Sequence, residues 1–252
     1  MAPMLPVLSV VIPLYDEARR LPLGLQGLAW LRRRVAGELE AILVDDGSSD
    51  ETLALARRAE GPGIRVLAEP HRGKGGALRA GVLAAVGDRI LLTDVDWSVP
   101  PPQAMRLLDH DADVVVATRE GPGARRLGEP PWRHLLGRAF NRYVQAVLLA
   151  GYQDTQCGCK LLRGDAARAL FSRLTIEGWA FDVELLMLCH HLGLRVAEQP
   201  VAWRYEADTR LRPVVDALAM AGDVWRIRRR LRRGGYGPPL EHPHAGRPDT
   251  PV

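Results

Sequence analysis

Short apolar runs alternate with amphipathic stretches along the first ninety residues. Residues 7–12 (VLSVVI), 40–44 (EAILV), 64–68 (IRVLA) and 88–93 (DRILLT) are rich in β-branched and leucine side chains. Apolar runs of this length suit strands buried on both faces. Between the first two, Leu21, Leu25, Leu28 and Leu31 recur at helical spacing within 17–34. Residues 51–59 form a second expected helix, capped by Ser49 or Asp50, and 73–85 a third, opened by glycine. This β-α-β-α order predicts an α/β fold, a mostly parallel sheet with helices on both faces.

The second half is less periodic. Residues 112–117 (ADVVVA) read as a buried strand, 132–149 as a long amphipathic helix, 159–162 as a short strand and 165–172 as a short helix. A helix over 181–192 and a strand over 195–199 follow, and Pro213 suits the first turn of a terminal helix reaching Arg233. The segment 119–131 (REGPGARRLGEPP) has the composition of a mobile loop, and the prolines at 100–102 are expected to stop regular structure. Residues 234–252 (GGYGPPLEHPHAGRPDTPV) read as a disordered tail. No internal repeat is visible.

Composition narrows the class. The 252 residues are 47% apolar and 25% charged, the balance of an ordinary globular protein. No run approaches the roughly 20 apolar residues a bilayer span needs. The start, MAPMLPVLSVVIP, lacks a basic region and reads as a first strand rather than a signal peptide. Three cysteines make no disulfide framework, which favours a reducing, cytoplasmic setting. The net charge of +4 gathers in arginine clusters at 32–34, 125–126 and 225–233. Patches of this kind suit an anionic surface or substrate, and no nucleic-acid module accompanies them.

The chemistry concentrates at strand ends. Asp94 and Asp96 follow the run Ile90–Leu92, and in extended backbone alternate residues point to one side. Two carboxylates so placed attract a hard divalent cation, Mg²⁺ or Mn²⁺, of the kind that bridges to phosphates. Tyr15-Asp16-Glu17 and Asp45-Asp46-Gly47-Ser48 fall on the same sheet edge. Each cluster alone would be a polar turn. With Arg72-Gly73-Lys74-Gly75-Gly76 opening a helix, they point to a nucleotide site with a metal. No G-x-x-x-x-G-K-[ST] is present, and Leu78 stands at the last glycine position of a dinucleotide fingerprint. Cys157, Cys159, Cys189, His190 and His191 match no common zinc spacing. Trp132, Trp179, Trp203 and Trp225 read as core or membrane-interface residues.

The motifs VVIPLYDEARRL, LVDDGSSDET, HRGKGGALRAG, LLTDVDWS, DTQCGCKLL and FDVELL, in this order, resemble the inverting family-2 glycosyltransferases of the GT-A fold. Within that family they are most similar to dolichyl- or polyprenyl-phosphate sugar synthases, especially the dolichyl-phosphate β-glucosyltransferases. The likeness covers about 7–233, and its most specific part is Asp154-Thr155-Gln156-Cys157-Gly158 with Lys160. It implies one GT-A domain over 1–233, with a nucleotide-binding half (7–100) and an acceptor half (101–233), followed by the tail. It also implies transfer of glucose or a related hexose from a nucleotide-diphospho-sugar, UDP-linked, to a polyprenyl phosphate.

Carried over residue by residue, the resemblance places Pro13, Tyr15, Glu17, Asp45, Asp46, Gly47, Arg72, Gly73, Lys74 and Asp94 at the donor. Asp94 and Asp96 fall at the metal, and Asp96, Asp94, Lys74 and Asp182 are the catalytic candidates. Asp182 and Glu184 stand where enzymes of the family that act on hydroxyls place their base; for a phosphate acceptor they would orient substrate instead. Arg119, Arg125, Arg126 and Arg138, whose guanidinium forks match phosphate oxygens, are the acceptor candidates with Asp154 and Gln156. The basic terminal helix is expected to rest on an anionic membrane surface, or to meet a small membrane partner protein, in a peripheral protein at the inner face of the membrane. The alternatives are a hydroxyl acceptor or a non-catalytic nucleotide-sugar scaffold. Three departures stand out: Trp97 where a small residue is usual, Cys159 for an aromatic, and ADTR at 207–210. The first is expected to reshape the sugar pocket, and the last to alter acceptor contacts.

Overall fold

The structure, a computed structural model, describes residues 7–149, 151–206 and 213–239. In chain order the first half runs β1 (Leu8–Leu14), α1 (Leu21–Arg32), β2 (Leu39–Asp46), α2 (Thr52–Arg58), β3 (Ile64–Glu69), α3 (Lys74–Ala84) and β4 (Arg89–Leu92). The second half runs α4 (Pro101–Met105), β5 (Val114–Thr118), β6 (Arg125–Leu127), α5 (Pro131–Val147), β7 (Lys160–Arg163), α6 (Gly164–Arg173), α7 (Phe181–His191), β8 (Val196–Pro200), β9 (Ala202–Arg204) and α8 (Pro213–Arg232).

Seven strands form one sheet in the order β3-β2-β1-β4-β7-β5-β8. It is parallel except for β7, which runs antiparallel to both neighbours, pairing Leu91 with Leu161 and Val115 with Leu161. All eight residues of β2 are buried, which explains the apolar run from Ala41 to Val44 ahead of Asp45. Side chains alternate between two core layers. Val10, Ile12 and Leu43 face α1 and α4, whereas Val11, Ile42 and Leu92 face the layer that holds α3, α6 and α7. The chain moves outward from β1 to β3, then returns to β4 on the other side of β1. That reversal opens a crevice beyond the carboxyl ends of β1 and β4, where open α/β sheets bind ligands.

Three expectations need correction. Pro101 and Pro102 start α4 rather than ending structure, because proline's fixed φ and missing N–H are tolerated in a first helical turn. The segment 119–131 is not a simple loop. It carries β6, which pairs in parallel with β9, and Arg125 N donates to Val201 O at 3.0 Å. The tail is ordered at its start, since Tyr236 is buried and its hydroxyl meets Glu184 Oε1 at 2.6 Å. Residues 240–252 lie outside the described residues, as do 207–210.

Candidate active site

The crevice is a cleft of about 700 Å³ that runs from the ends of β1 and β4 to α5 and α8. Pro13, Tyr15, Glu17, Asp46, Gly73, Lys74, Asp94, Asp96 and Asp182 line it, and so do Arg119, Arg126, Arg138, Asp154 and Gln156. Four candidates stand outside the lining: Asp45, Gly47, Arg72 and Arg125. Asp45 is buried and accepts from Ser48 N at 3.1 Å. Gly47 adopts φ 71° behind His71, whose backbone nitrogen lies 2.8 Å from where a Cβ would sit. Gly47 is scaffold for the turn, while Asp45 Oδ1 is buried without a hydrogen-bond partner among the described residues. Arg72 is half-exposed and reaches Glu177 at 3.5 Å, and Arg125 is exposed on β6.

The end of the cleft toward β1 and β2 is laced together by its own polar groups. Asp16 Oδ1 accepts from Ser49 N at 2.8 Å, and Thr52 Oγ1 accepts from Glu17 N at 2.7 Å, tying the loop after β1 to the loop after β2. Asp46 accepts from Arg72 N and Gly73 N, both at 2.9 Å, which fixes the turn into α3. His71 lies 2.9 Å from Asp46 and stacks on Tyr15 with ring centroids 4.3 Å apart, a flat wall that the sequence did not announce. Gly73 adopts φ 110° in that turn, and a Cβ there would sit 2.7 Å from Glu177 O.

At the centre Lys74, the first residue of α3, binds Asp94 Oδ1. Burial opposes the Lys74 charge, but Asp94, Asp182 and Asp96 together hold its pKa above the ordinary lysine value. Asp94 stays below the usual carboxylate range despite burial, because Lys74, Lys160 and Arg20 favour its charge. Asp96 moves the other way, raised by burial and by the nearby Asp94. Its Oδ1 accepts from Ser98 N and Oγ at 2.9 Å, and Arg20 approaches its Oδ2 to 3.7 Å. Arg20, held by Glu17 at 2.5 Å, is a second cation of the floor that sequence reasoning missed, although it stands in the YDEARRL motif. Two neighbouring carboxylates that both line the cleft suit a divalent cation that keeps several waters. They do not make an all-protein cage, since no group of three or more His, Cys, Asp or Glu surrounds a common point among the described residues.

Gly158 explains why the DTQCG run belongs to this floor. A Cβ there would sit 2.5 Å from Asp94 Oδ2 and 3.2 Å from Lys74 Nζ, so only glycine admits the pair. Lys160, two residues on, is fully buried and binds Asp182 Oδ1 and Cys157 O. Burial raises the Asp182 pKa against the pull of Lys160 and Lys74. Glu184 faces away from the cleft. It accepts from Thr175 N at 2.9 Å, Ile176 N at 2.7 Å and Tyr236, so it clamps a loop rather than orienting substrate.

Trp97 does not reshape the pocket. It is buried against α1, where its indole donates to Gly24 O at 3.1 Å and lies over Gly27. Trp179 and Trp203 line the cleft and pack, partly buried, against the two core layers, while Trp132 and Trp225 are more than half exposed. The cysteines do not gather: Cys157 and Cys159 belong to one core layer and Cys189 to the other. Burial pushes Cys157 up to about 11 and Cys189 to about 12, so neither is a thiolate at neutral pH.

The end of the cleft toward α5 is crowded with arginines, most of them already engaged. Arg119 forks onto Asp154 at 2.7 and 2.9 Å. Burial opposes both charges, yet each holds the other ionised, with Arg119 above and Asp154 well below the ordinary values. Asp154 therefore serves the arginine and the Gln156 backbone, 3.1 Å away, before any ligand. Arg126 pairs with Glu120 at 2.8 Å and Glu129 at 2.7 Å, and Arg138 shares Glu120 at 3.3 Å. Arg133 also lines the cleft. It has only the ring of Tyr205, 5.1 Å away, and no carboxylate partner among the described residues.

The comparisons with known proteins agree with this geometry. Residues 9–171 match the Glycosyl transferase family 2 model. A dolichyl-phosphate beta-glucosyltransferase of Dictyostelium discoideum is 34% identical over 246 residues, covering 90% of this chain and 75% of that protein. The human enzyme of the same name is 33% identical over 249 residues, covering 91% and 77%. Among solved structures, glucosyl-3-phosphoglycerate synthase from Mycobacterium tuberculosis, in complex with Mn²⁺, UDP and phosphoglyceric acid, superposes with a TM-score of 0.66. It is 22% identical, with 94% of this chain and 80% of that one covered, a likeness of GT-A fold. A matched family model over well more than half the chain, together with relatives of this identity and coverage, makes the chain a member of glycosyltransferase family 2.

Proposed function

We propose that the chain transfers a glucosyl group from UDP-glucose to a dolichyl or related polyprenyl phosphate, with inversion at the anomeric carbon. The observation that carries the reading is one continuous cleft that joins the Asp94/Asp96/Lys74 floor to α5, a helix with three arginines and no acid. The names of the curated relatives support the sugar and the acceptor. The UDP-glucose and Mn²⁺ complex of the mycobacterial neighbour supports the donor class.

Tyr15, His71 and Asp46 would receive the nucleoside, with the α3 N-terminus beside the diphosphate. Asp96 and Asp94 would hold a Mg²⁺ or Mn²⁺ ion, whose chemistry when bound is Lewis-acid neutralisation of the departing diphosphate. Lys74 and Arg20 add fixed positive charge at the same place. The acceptor phosphate oxygen attacks the anomeric carbon as its bond to the diphosphate oxygen breaks, and the electron pair leaves on UDP. No proton has to be removed, because a phosphate monoester is already ionised near neutral pH. That fits Asp182: the carboxylate standing where a base would serve a hydroxyl acceptor is bound by buried Lys160. Arg133, which lines the cleft with no carboxylate partner among the described residues, is the available cation for the acceptor phosphate.

Such an acceptor lives in a bilayer, and among the described residues no helix is long and apolar enough to cross one. We read the protein as a peripheral enzyme at the inner face of the membrane, held by the lipid surface or by a small membrane partner. The test offers UDP-glucose and other UDP- and GDP-sugars, with Mn²⁺, to a polyprenyl phosphate and to soluble hydroxyl acceptors. Transfer to the lipid phosphate is expected, lost by orders of magnitude in Asp96→Ala while the protein stays folded. Transfer to hydroxyl acceptors alone, or to none, refutes the reading.

A further inference from the structure

The large apolar side chains left exposed are not spread evenly. Leu127, Trp132, Leu135 and Leu136 fall within ten residues of one another, exposed by 46, 56, 67 and 37%. With 3.6 residues per turn, Trp132, Leu135, Leu136 and Ala139 share one side of the first two turns of α5. Leu136 also lines the cleft, so the stripe continues into the candidate site. Leu127 O accepts from Tyr205 N at 2.9 Å, and the Tyr205 ring lies under Arg133, which joins β6 to the start of the helix. On the opposite rim α8 packs on α5 through a hydrogen bond from the Tyr143 hydroxyl to Ala221 O at 3.1 Å. There Leu218 is 72% exposed, next to Ala217 in the cleft wall.

We propose that this rim, and not the arginine-rich end of α8, is the surface that docks on a phospholipid membrane, presenting the cleft mouth to a lipid phosphate. The inference rests on the lipid-phosphate reading above. Two observations select a bilayer as occupant. The stripe is continuous with the cleft in which the phosphate would sit, so a chain leaving that phosphate passes directly over it. Its charge is also complementary to headgroups, with Arg133 on one flank and Arg142 on the other, beside the Glu120-paired Arg138, and no acid in the helix. Amphipathic helices of this kind lie with the apolar side in the headgroup–acyl boundary and basic residues at its edges. The end of α8 offers less. Val224 and Ile227 are buried and Leu231 packs on the core, so the protein itself uses the side expected to touch lipid. Only Trp225 remains, with Arg228 5.4 Å over its ring.

The experiment is co-sedimentation with vesicles of phosphatidylcholine containing a minority of phosphatidylglycerol. It compares wild type, Trp132→Glu, Leu135→Glu and, on α8, Trp225→Glu. Neither Trp132 nor Leu135 lines the cleft, and the corresponding serine variants replace any glutamate variant that fails to give a wild-type melting curve. Wild type is expected to bind, the two α5 variants to bind roughly tenfold or more weakly, and Trp225→Glu to match wild type. Transfer is measured in parallel to vesicle-embedded polyprenyl phosphate and to a short-chain, water-soluble prenyl phosphate. The α5 variants should lose the first and keep the second. The proposal is overturned if wild type ignores protein-free vesicles, if the α5 variants bind as wild type does, or if only Trp225→Glu loses binding. A dimer broken by the α5 variants overturns it in favour of a second copy of the chain. Wild type that binds vesicles through α5 yet glucosylates no prenyl phosphate refutes the functional reading and leaves the docking surface standing.

Discussion

Replacing Gly27 by alanine tests whether α1 is grooved to hold the segment that carries Asp96. Val95 and Trp97, on either side of that aspartate, both rest on α1. A Cβ at Gly24 would sit 2.6 Å from Val95 Cγ2, and one at Gly27 would sit 1.9 Å from Trp97 Nε1 and 2.2 Å from Cε2. Trp97 is itself held at φ 50°, an uncommon conformation for a bulky residue, which leaves it little freedom to retreat. In a helix interior, glycine to alanine is otherwise stabilising by up to about 1 kcal/mol. Here the methyl cannot be placed without expelling the indole or moving α1, and overpacking of this kind costs about 1–3 kcal/mol.

The sign should therefore depend on Trp97. In a Trp97→Ser background, itself weaker by roughly 3–5 kcal/mol for loss of a buried aromatic, the space is empty and Gly27→Ala should stabilise. Urea unfolding of the wild type, both single variants and the double variant gives the coupling directly, expected at about 2 kcal/mol or more. Gly27→Ala should also slow glucosyl transfer below its unfolding transition, because the displaced indole carries Asp96 with it. An equal cost of Gly27→Ala in both backgrounds would refute the grooved-helix reading, and an unchanged rate would separate the packing from the site.

The remaining predictions concern charge. Lys160→Met leaves buried Asp182 at the cleft wall without its ion-pair partner and should cost about 3–5 kcal/mol in urea unfolding, much of it recovered in Lys160→Met/Asp182→Leu; a loss under about 1 kcal/mol would mean the pair is hydrated. Asp154 has a folded pKa below its unfolded value of about 3.9, so its stabilisation is complete above that pH and disappears as pH falls toward the folded value. The stability gap between wild type and Asp154→Asn should thus be flat near neutrality and close below about pH 4, and a gap that persists in acid counts against the Arg119 pairing. Arg133→Gln should raise KM for the lipid phosphate while leaving the melting temperature unchanged, whereas Arg126→Gln should lower the melting temperature by taking the arginine from buried Glu129 and leaving Glu120 with Arg138 alone; the reverse pattern would exchange their roles.

The parts of the fold legible in the sequence are those whose burial is set by one element. In β1, β2 and β4 both faces are covered, so an apolar run alone marks the strand. The parts that escaped depend on distant partners. Arg125-Arg126-Leu127 has no strand pattern, and it pairs with Ala202-Trp203-Arg204 because Glu120 and Glu129 neutralise Arg126 and Trp203 lies 5.9 Å beneath it. Tyr236 sits in a glycine- and proline-rich stretch that composition assigns to disorder, yet one buried ring and a hydrogen bond to Glu184 tie it down.

The same distinction runs through the site. Strand ends reveal where Asp94 and Asp96 emerge, because that position follows from local backbone geometry. Whether a charge remains available to a ligand is decided by what the fold places beside it, three residues away for Arg126 and Glu129 and 35 away for Arg119 and Asp154. Arg119 and Arg126 carry the same guanidinium as Arg133, but their forks are filled by Asp154 and by Glu120 with Glu129. Asp182 and Glu184 are two residues apart on one helix. The first lines the cleft bound by Lys160, and the second closes a loop through Thr175 and Ile176. An acid or base near a substrate becomes chemistry only when its neighbours leave it a free face, and here that criterion favours Arg133 over the arginines the motifs suggested. It also favours a phosphate over a hydroxyl as the group that completes the reaction.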